Sequence, residues 1–349
     1  MEQSTLALPP ENEVNMNRLV SVIIPCFNAE TSIGKSIESV YEQDWNNIEL
    51  IVVDDGSTDN SKKEIVKWRD LSDDRFTLKY VFQKNAGPGS AINRGLKEVS
   101  GTYLTLLDAD DYYLPQSISK RARYLNEHEN CPMVRSNGYI ESGDDRWLFV
   151  YDEKEKTDPD VFSMLMKGKT NNWAGSYMIR TDRLFDFYPD REIYQSRFGQ
   201  NLQLMLPVAK DSRCGFIDEP LMVYVRNSIS LSQESDIKKK KKKSLDNIEG
   251  YYDIRLKMNE LLFDDNKERL YWNIIADGIR YKSMLNLGIE LNDFKMIENT
   301  YKNLVRIKQS DIDAQISYWN YKNKFIAVLF RVKRKIWKAL KLEKETNDS

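Results

Sequence analysis

Three short stretches near the start of this chain carry residues able to do chemistry together: Pro25-Cys26-Phe27-Asn28, Asp54-Asp55-Gly56-Ser57 and Asp108-Ala109-Asp110-Asp111. An aromatic ring such as that of Phe27 can stack on a nucleobase. A carboxylate can accept a base N–H or ribose hydroxyls. Clustered carboxylates can hold a hard divalent cation that also binds diphosphate oxygens. Taken singly, each stretch is ordinary, and an Asp-Gly-Ser sequence is commonly just a turn. Their recurrence along one stretch, each at the end of an apolar run, is the informative feature.

The rest of the composition narrows the chemistry. His128 is the only histidine, which argues against His-based zinc sites and Ser-His-Asp catalysis. His128 itself reads as a surface helix residue. Cys26, Cys131 and Cys214 are far apart and odd in number, so they read as reduced thiols of a cytoplasmic protein. Acid–base work therefore falls to carboxylates. With a net charge of −2 on 349 residues, nothing points to nucleic acid as a partner. The N-terminus lacks a signal-peptide pattern, and no apolar run is long enough to span a membrane.

The elements that must position these residues alternate in type. Apolar runs at Leu19–Ile24, Ile48–Val53, Leu78–Phe82 and Tyr103–Leu107 read as strands. Between them lie helical patterns: Ile33, Ile37, Val40 and Tyr41; Ile65, Val66 and Trp68 after the capping residues Asp59-Asn60-Ser61; and Gly87 to Val99. Strand–helix alternation implies right-handed crossovers and a doubly wound, mostly parallel α/β sheet flanked by helices. In such a sheet, ligands sit beyond the carboxyl ends of the strands, where all three motifs fall. Beyond Cys131 the pattern becomes irregular, with strand-like pieces at Pro132–Arg135, Arg146–Val150 and Phe216–Val225 and a helix at Leu202–Ala209. The six lysines Lys238–Lys243 read as a solvated helix surface or a linker, and Leu245–Ile307 reads as a helical C-terminal region. The expected layout is a flexible 1–17, an α/β domain over 18–235, a helical region over 244–320 and a basic amphipathic helix over 321–342.

The texts VSVIIPCFNAE, ELIVVDDGSTDNS, NAGPGSAINRGL and GTYLTLLDADD resemble the inverting family 2 glycosyltransferases of GT-A fold, of the bacterial capsule and surface-polysaccharide type. A weaker likeness in IDEPLMVYVR extends the match to Arg226. The resemblance implies transfer of a sugar from a nucleotide diphosphate donor, a UDP-sugar foremost, to a hydroxyl of a glycan or lipid-linked acceptor. By position it implies that Pro25 and Phe27 line the nucleobase pocket with Asn28 and Glu30 beside them. Asp55 would bind the base. Lys84, Asn85 and Gly87 would lie close to the nucleotide, and Asp108 would face the ribose and sugar. Asp110 would bind Mg²⁺ or Mn²⁺ at the diphosphate, supported by Asp111.

The sequence departs from the family where the acceptor is activated. Gly199-Gln200-Asn201 stands where a Glu-Asp pair is usual, and amides do not take protons near neutral pH. Three readings stay open: Asp190 or Glu192 serves as base; Gln200 and Asn201 place the acceptor while the base lies elsewhere; or transfer activity is lost. Tyr224-Val225-Arg226-Asn227 likewise lacks the family's histidine. Trp173-Ala174-Gly175-Ser176-Tyr177 would be an acceptor-side loop or an ordinary aromatic turn. The rival functions are nucleotidyl transfer and nucleotide-sugar binding without transfer.

From Tyr321 to Leu342, Phe325, Val328, Leu329, Val332, Ile336 and Leu340 recur at helical spacing among lysines and arginines. Such a helix would either pack on the protein or lie on an anionic membrane surface. The second reading makes the chain peripheral at the cytoplasmic face.

Overall fold

The first two strands are buried nearly throughout, so successive side chains enter core layers on both faces of a sheet. A computed structural model describes residues 18–226 and 237–323. The expected flexible stretch 1–17, Asn227 and all but the start of the expected helix 321–342 lie outside the described residues. The chain divides into two compact units, residues 1–232 and 233–349.

The first unit opens β1 (Val20–Cys26), α1 (Ile33–Tyr41), β2 (Ile48–Asp54), α2 (Ser61–Arg69), β3 (Phe76–Phe82), α3 (Pro88–Glu98) and β4 (Tyr103–Leu106). Val20, Val22 and Ile24 of β1 and Leu50 and Val52 of β2 share one core with Ile33, Ile37 and Val40 of α1. Those helix positions are spaced four and three apart, as a single buried stripe requires. On the opposite face, Gly95 of α3 lies against the Ile23 side chain, where a Cβ would come within 2.8 Å of it. Period-two alternation thus gives each strand one neighbour layer per face.

The unit continues with β5 (Tyr112–Tyr113), α4 (Ser117–Glu127), β6 (Met133–Ser142), β7 (Asp145–Leu148), α5 (Glu153–Thr157), α6 (Val161–Met166), β8 (Tyr177–Arg180), α7 (Thr181–Phe187), α8 (Gln200–Ala209) and β9 (Gly215–Val225). The sheet runs β3-β2-β1-β4-β8-β6-β9-β5, with β7 paired to β6. β1 to β4 are parallel, as their helical crossovers dictate. Beyond β4 the sheet is mixed: β8 is antiparallel to β4 and to β6, β9 is parallel to β6, and β5 is antiparallel to β9. The continuous run of parallel strands expected from sequence is therefore limited to β1–β4, and beyond it only β6 and β9 pair in parallel among the described residues.

Two buried charges brace the sheet. Glu49 of β2 accepts from the Lys79 ammonium (2.9 Å), the Ser100 amide (2.6 Å) and hydroxyl (2.7 Å), and the Gly101 amide (3.0 Å). It pins the α3–β4 connection to the sheet. Burial opposes its ionisation, but bonds from Ser21, Lys79 and Ser100 outweigh that and hold the carboxyl below its usual range. Arg121 of α4 is fully buried and is satisfied by the carbonyls of Ser117 (2.9 Å) and Gly175 (2.8 Å) and by the Ser117 hydroxyl (2.6 Å). It thereby fixes the turn leading into β8.

The second unit is helical: α9 (Ile237–Leu262), α10 (Asn266–Glu290), α11 (Phe294–Arg306) and α12 (Ile312–Lys322). Asp265, Asp293 and Asp311 cap the last three by accepting from amides of their first turns. Leu285, Ile297, Leu304, Ala314 and Tyr318 form its core. The six lysines lie within the first turns of α9, where Lys240 pairs with Glu290 and Lys241 with Asp293. Among the described residues, no helix is long and apolar enough to cross a membrane.

Candidate functional site

At the carboxyl ends of the parallel strands a cavity of about 930 Å³ opens, lined by residues of all three acidic or aromatic motifs. That volume suits a nucleotide-sized ligand. Of the residues singled out by sequence, Pro25, Phe27, Asn28, Asp55, Asn85, Gly87, Asp108 and Asp110 line it. Glu30, Lys84, Asp190, Glu192 and Gln200 are not among its lining residues. Lys35, Glu141 and Arg197 also line it, and no local motif marks them.

The first wall is the loop after β1. Phe27 is 51% exposed at the cavity, a large apolar ring left in solvent where a flat ligand would cover it. The loop is strapped to the one after β2. Asn28 and Ala29 amides donate to the Ser57 and Ser61 hydroxyls (3.0 and 2.8 Å), and Asn28 Oδ1 accepts from the Thr58 amide (2.8 Å). Glu30 accepts from the Asn60 amide (2.8 Å) and side chain (2.9 Å). Glu30 is thus part of the strap.

The two aspartates ending β2 have separate tasks. Asp54 accepts from the Ser57 amide (2.8 Å) and the Tyr80 hydroxyl (2.7 Å), closing the turn. Asp55 faces the cavity and is buried. Its Oδ1 accepts from Gln83 Nε2 (2.6 Å) and the Ala86 amide (2.9 Å), and its Oδ2 from the Gly87 amide (2.9 Å). This close seating needs Gly56, which has φ +76° and whose Cβ would come within 2.7 Å of the Asn85 amide nitrogen.

The acidic turn after β4 is held from below by Ser36 of α1, whose hydroxyl donates to the carbonyls of Ala109 (3.0 Å) and Asp111 (2.7 Å). Asp111 is buried and accepts from the Val225 amide (2.8 Å), tying the turn to the end of β9, while its other oxygen has no partner. Burial raises the Asp108 carboxyl above its ordinary range, and the Asp110 charge adds to the rise. Burial also raises Asp110. Three crowded carboxyls that resist ionisation are the arrangement a cation relieves. Among the described residues no cluster of three or more acids or thiols forms an all-protein metal cage. A turn that offers the Asp108 and Asp110 carboxylates to an open cavity could hold a hard divalent cation that takes its remaining ligands from water or a bound phosphate.

The region expected to activate an acceptor is placed differently from the motifs. Asp190 is exposed, and Glu192 is exposed and pairs with Lys97 at 2.5 Å. Gln200 donates to the Ser196 carbonyl (2.8 Å), and Asn201 accepts from the buried Tyr177 hydroxyl (2.7 Å). Trp173 stacks on Tyr224 with ring centres 5.1 Å apart and meets the Phe149 edge, while Gly175 packs on Met222 and Leu107. His128 stacks on Tyr124 at the end of α4 and is exposed.

Comparison with known proteins agrees with this geometry. Residues 21–191 match the model of glycosyl transferase family 2. An uncharacterised glycosyltransferase of Rickettsia typhi is 34% identical over 153 residues, 42% of this chain and 46% of that protein. The chain therefore spans about half the length of that relative. Glycosyltransferase GlyG of Streptococcus pneumoniae is 27% identical over 225 residues, 62% of this chain and 73% of GlyG. Among solved structures, S. aureus TarS residues 1–349 in complex with UDP-GlcNAc superposes with a TM-score of 0.58 at 17% identity, covering 88% of this chain and 92% of that one. The mannosyltransferase PcManGT of Pyrobaculum calidifontis, in complex with GDP-Man and Mn²⁺, gives 0.50 at 14% identity, covering 92% and 88%. The fold is GT-A, with a helical C-terminal region.

Proposed function

From the premise that this chain belongs to glycosyl transferase family 2, we propose that it moves a sugar from a UDP-sugar to a hydroxyl acceptor with inversion at the anomeric carbon. The observation that carries this reading is the shared cavity of Phe27, Asp55, Asp108 and Asp110, contributed by three separate strand ends. Phe27 would stack on the base, Asn85 and Gly87 would flank the nucleotide with Lys84 nearby, and Asp108 would face ribose and sugar. A bound Mg²⁺ or Mn²⁺ supplies positive charge against the departing diphosphate, with Asp110 as its protein ligand.

Counting lone pairs favours uracil over guanine. Asp55 Oδ1 already accepts twice and Oδ2 once, so one acceptor site is left. Uracil presents one donor on its pairing edge, its imide N–H. Guanine presents two adjacent donors and would leave one unmatched in a buried site.

The acceptor would be a growing surface glycan on a lipid carrier. The basic, amphipathic composition of residues 321–342 supports a peripheral position at the cytoplasmic face of a membrane. The test is a panel of nucleotide sugars with and without Mn²⁺, read by product release. Sugar transfer or hydrolysis frees nucleoside diphosphate, nucleotidyl transfer frees pyrophosphate, and a binding protein frees neither. Asp110→Asn is expected to abolish the Mn²⁺-dependent release. Full activity of that variant in chelator would refute the metal role, and tighter calorimetric binding of GDP than UDP would refute the base assignment.

A further inference from the structure

Attack by a hydroxyl on an anomeric carbon requires a group that takes the hydroxyl proton from within hydrogen-bond reach. Asp190, Glu192 and Gln200 do not line the cavity, and Glu192 is already paired with Lys97. Of the carboxylates that do line it, Asp55 has one acceptor site left, and Asp108 and Asp110 belong to the turn suited to cation and diphosphate. The fourth is Glu141.

Glu141 reaches the cavity from near the end of β6, paired in register with Val225 of β9, which also lines the cavity. One of its oxygens is fixed. Oε2 accepts from the Tyr112 hydroxyl (3.0 Å) and from Arg146, whose Nε lies at 3.2 Å and whose Nη2 approaches more closely still. Arg146 also donates to the Tyr112 hydroxyl (3.0 Å), so the three groups form a closed triangle. Oε1 accepts no hydrogen bond among the described residues. The Lys35 ammonium sits 3.4 Å above the centre of the Tyr112 ring and lines the same cavity. A carboxylate with one oxygen locked by two donors and the other open presents a single lone-pair face in a defined orientation.

We propose that Glu141 is the acceptor-side base of this enzyme, an assignment that rests on the transfer reading above. Oε1 takes the proton of the acceptor hydroxyl as that oxygen forms a bond to the anomeric carbon. The bond from the anomeric carbon to the diphosphate oxygen breaks, and its electron pair leaves with the nucleoside diphosphate. Glu141 then releases the proton to solvent. The bond from Arg146 holds the Glu141 carboxyl below its usual range, outweighing burial, with Tyr112 and the Lys35 charge acting in the same direction. The group is thus ionised and ready at neutral pH.

The test compares the full-length wild type with Glu141→Gln, Glu141→Asp and Tyr112→Phe. UDP affinity is measured calorimetrically with Mn²⁺, and Tm by scanning fluorimetry. Turnover is read as UDP release to water from whichever of UDP-glucose, UDP-galactose and UDP-N-acetylglucosamine the wild type hydrolyses fastest. The assignment predicts that Glu141→Gln lowers kcat by about 100-fold or more while donor KM, UDP affinity and Tm stay within about twofold or a degree or so of wild type. Glu141→Asp falls between the two, and Tyr112→Phe loses kcat by several-fold through a less fixed carboxylate. Retention of kcat by Glu141→Gln overturns the assignment. So does a loss that tracks UDP affinity or Tm, because that describes a structural strut. A wild-type chain that neither binds UDP nor releases it overturns the transfer reading, and the base with it.

Discussion

Asp111 has one oxygen bonded to the Val225 amide and one buried without a partner, so its charge is poorly tolerated. Burial first, and the Asp108 charge second, push its carboxyl up to about 9 from an ordinary 3.8. A carboxyl raised on folding contributes stability below its unfolded value and loses it as pH rises towards the folded one. In chelator, Asp111→Asn keeps an acceptor for Val225 and removes the charge. Its Tm should exceed that of wild type by a margin that grows from pH 4 to pH 9 and reaches several degrees by neutral pH. Parallel melting curves across that range would sink the idea. Asp55→Asn is expected to lose about 100-fold in UDP affinity, because its amide donors would confront the Ala86 or Gly87 N–H; calorimetry decides it. These residues were legible because each sits in a short motif at a strand end. Lys35, Glu141 and Arg197 were not. In sequence, Lys35 is a helix-surface lysine and Glu141 an acid before a turn, and only the strand order brings them to the cavity.

At the scale of elements, the stretch from β1 to β4 follows from sequence because buried parallel strands are continuous apolar runs separated by amphipathic helices. Beyond β4 the signal fades. β5 has two residues, β8 has four, and β6 carries Arg135, Ser136 and Asn137 in its buried stretch. Their pairing order is not their chain order. The helical C-terminal region was readable as helix, while its division at Asp265, Asp293 and Asp311 depends on caps. Two predictions belong here. Glu49→Gln should cost about 2 kcal/mol at pH 7, because the buried carboxylate loses charge-assisted bonds from Ser21, Ser100, Gly101 and the partly exposed Lys79 ammonium. Because folding lowers this carboxyl from 4.5, the stability it contributes is full above that value and is lost as pH falls through the folded one. The gap between wild type and variant should therefore close in acid, and a gap that persists there would show packing, not charge, at work. Gly89 of α3 touches the backbone of Ser196, where a Cβ would come within 2.6 Å of the carbonyl oxygen. Gly89→Ala should displace that segment, and Arg197 with it, and lower turnover more than Tm. An unchanged kcat would contradict it.

At the scale of the whole molecule, a net charge of −2 conceals local concentrations of positive charge. One is the lysine run of α9, partly neutralised by Glu290 and Asp293. The other follows α12, where Lys324, Arg331, Lys333, Arg334, Lys335, Lys338 and Lys341 alternate with apolar residues. Each cation held near an anionic surface contributes about 1 kcal/mol, and the term is screened by salt. If this segment places the enzyme beside a lipid-linked acceptor, the full chain should sediment with phosphatidylglycerol-rich vesicles at low salt and much less with phosphatidylcholine vesicles or at raised salt. Removing residues 324–349 should abolish that sedimentation while leaving UDP binding intact, because every residue lining the nucleotide cavity lies between Pro25 and Val225. Equal sedimentation of the truncated and full chains would transfer the membrane role to α9 or remove it altogether. Loss of UDP binding on truncation would instead show that the segment stabilises the protein.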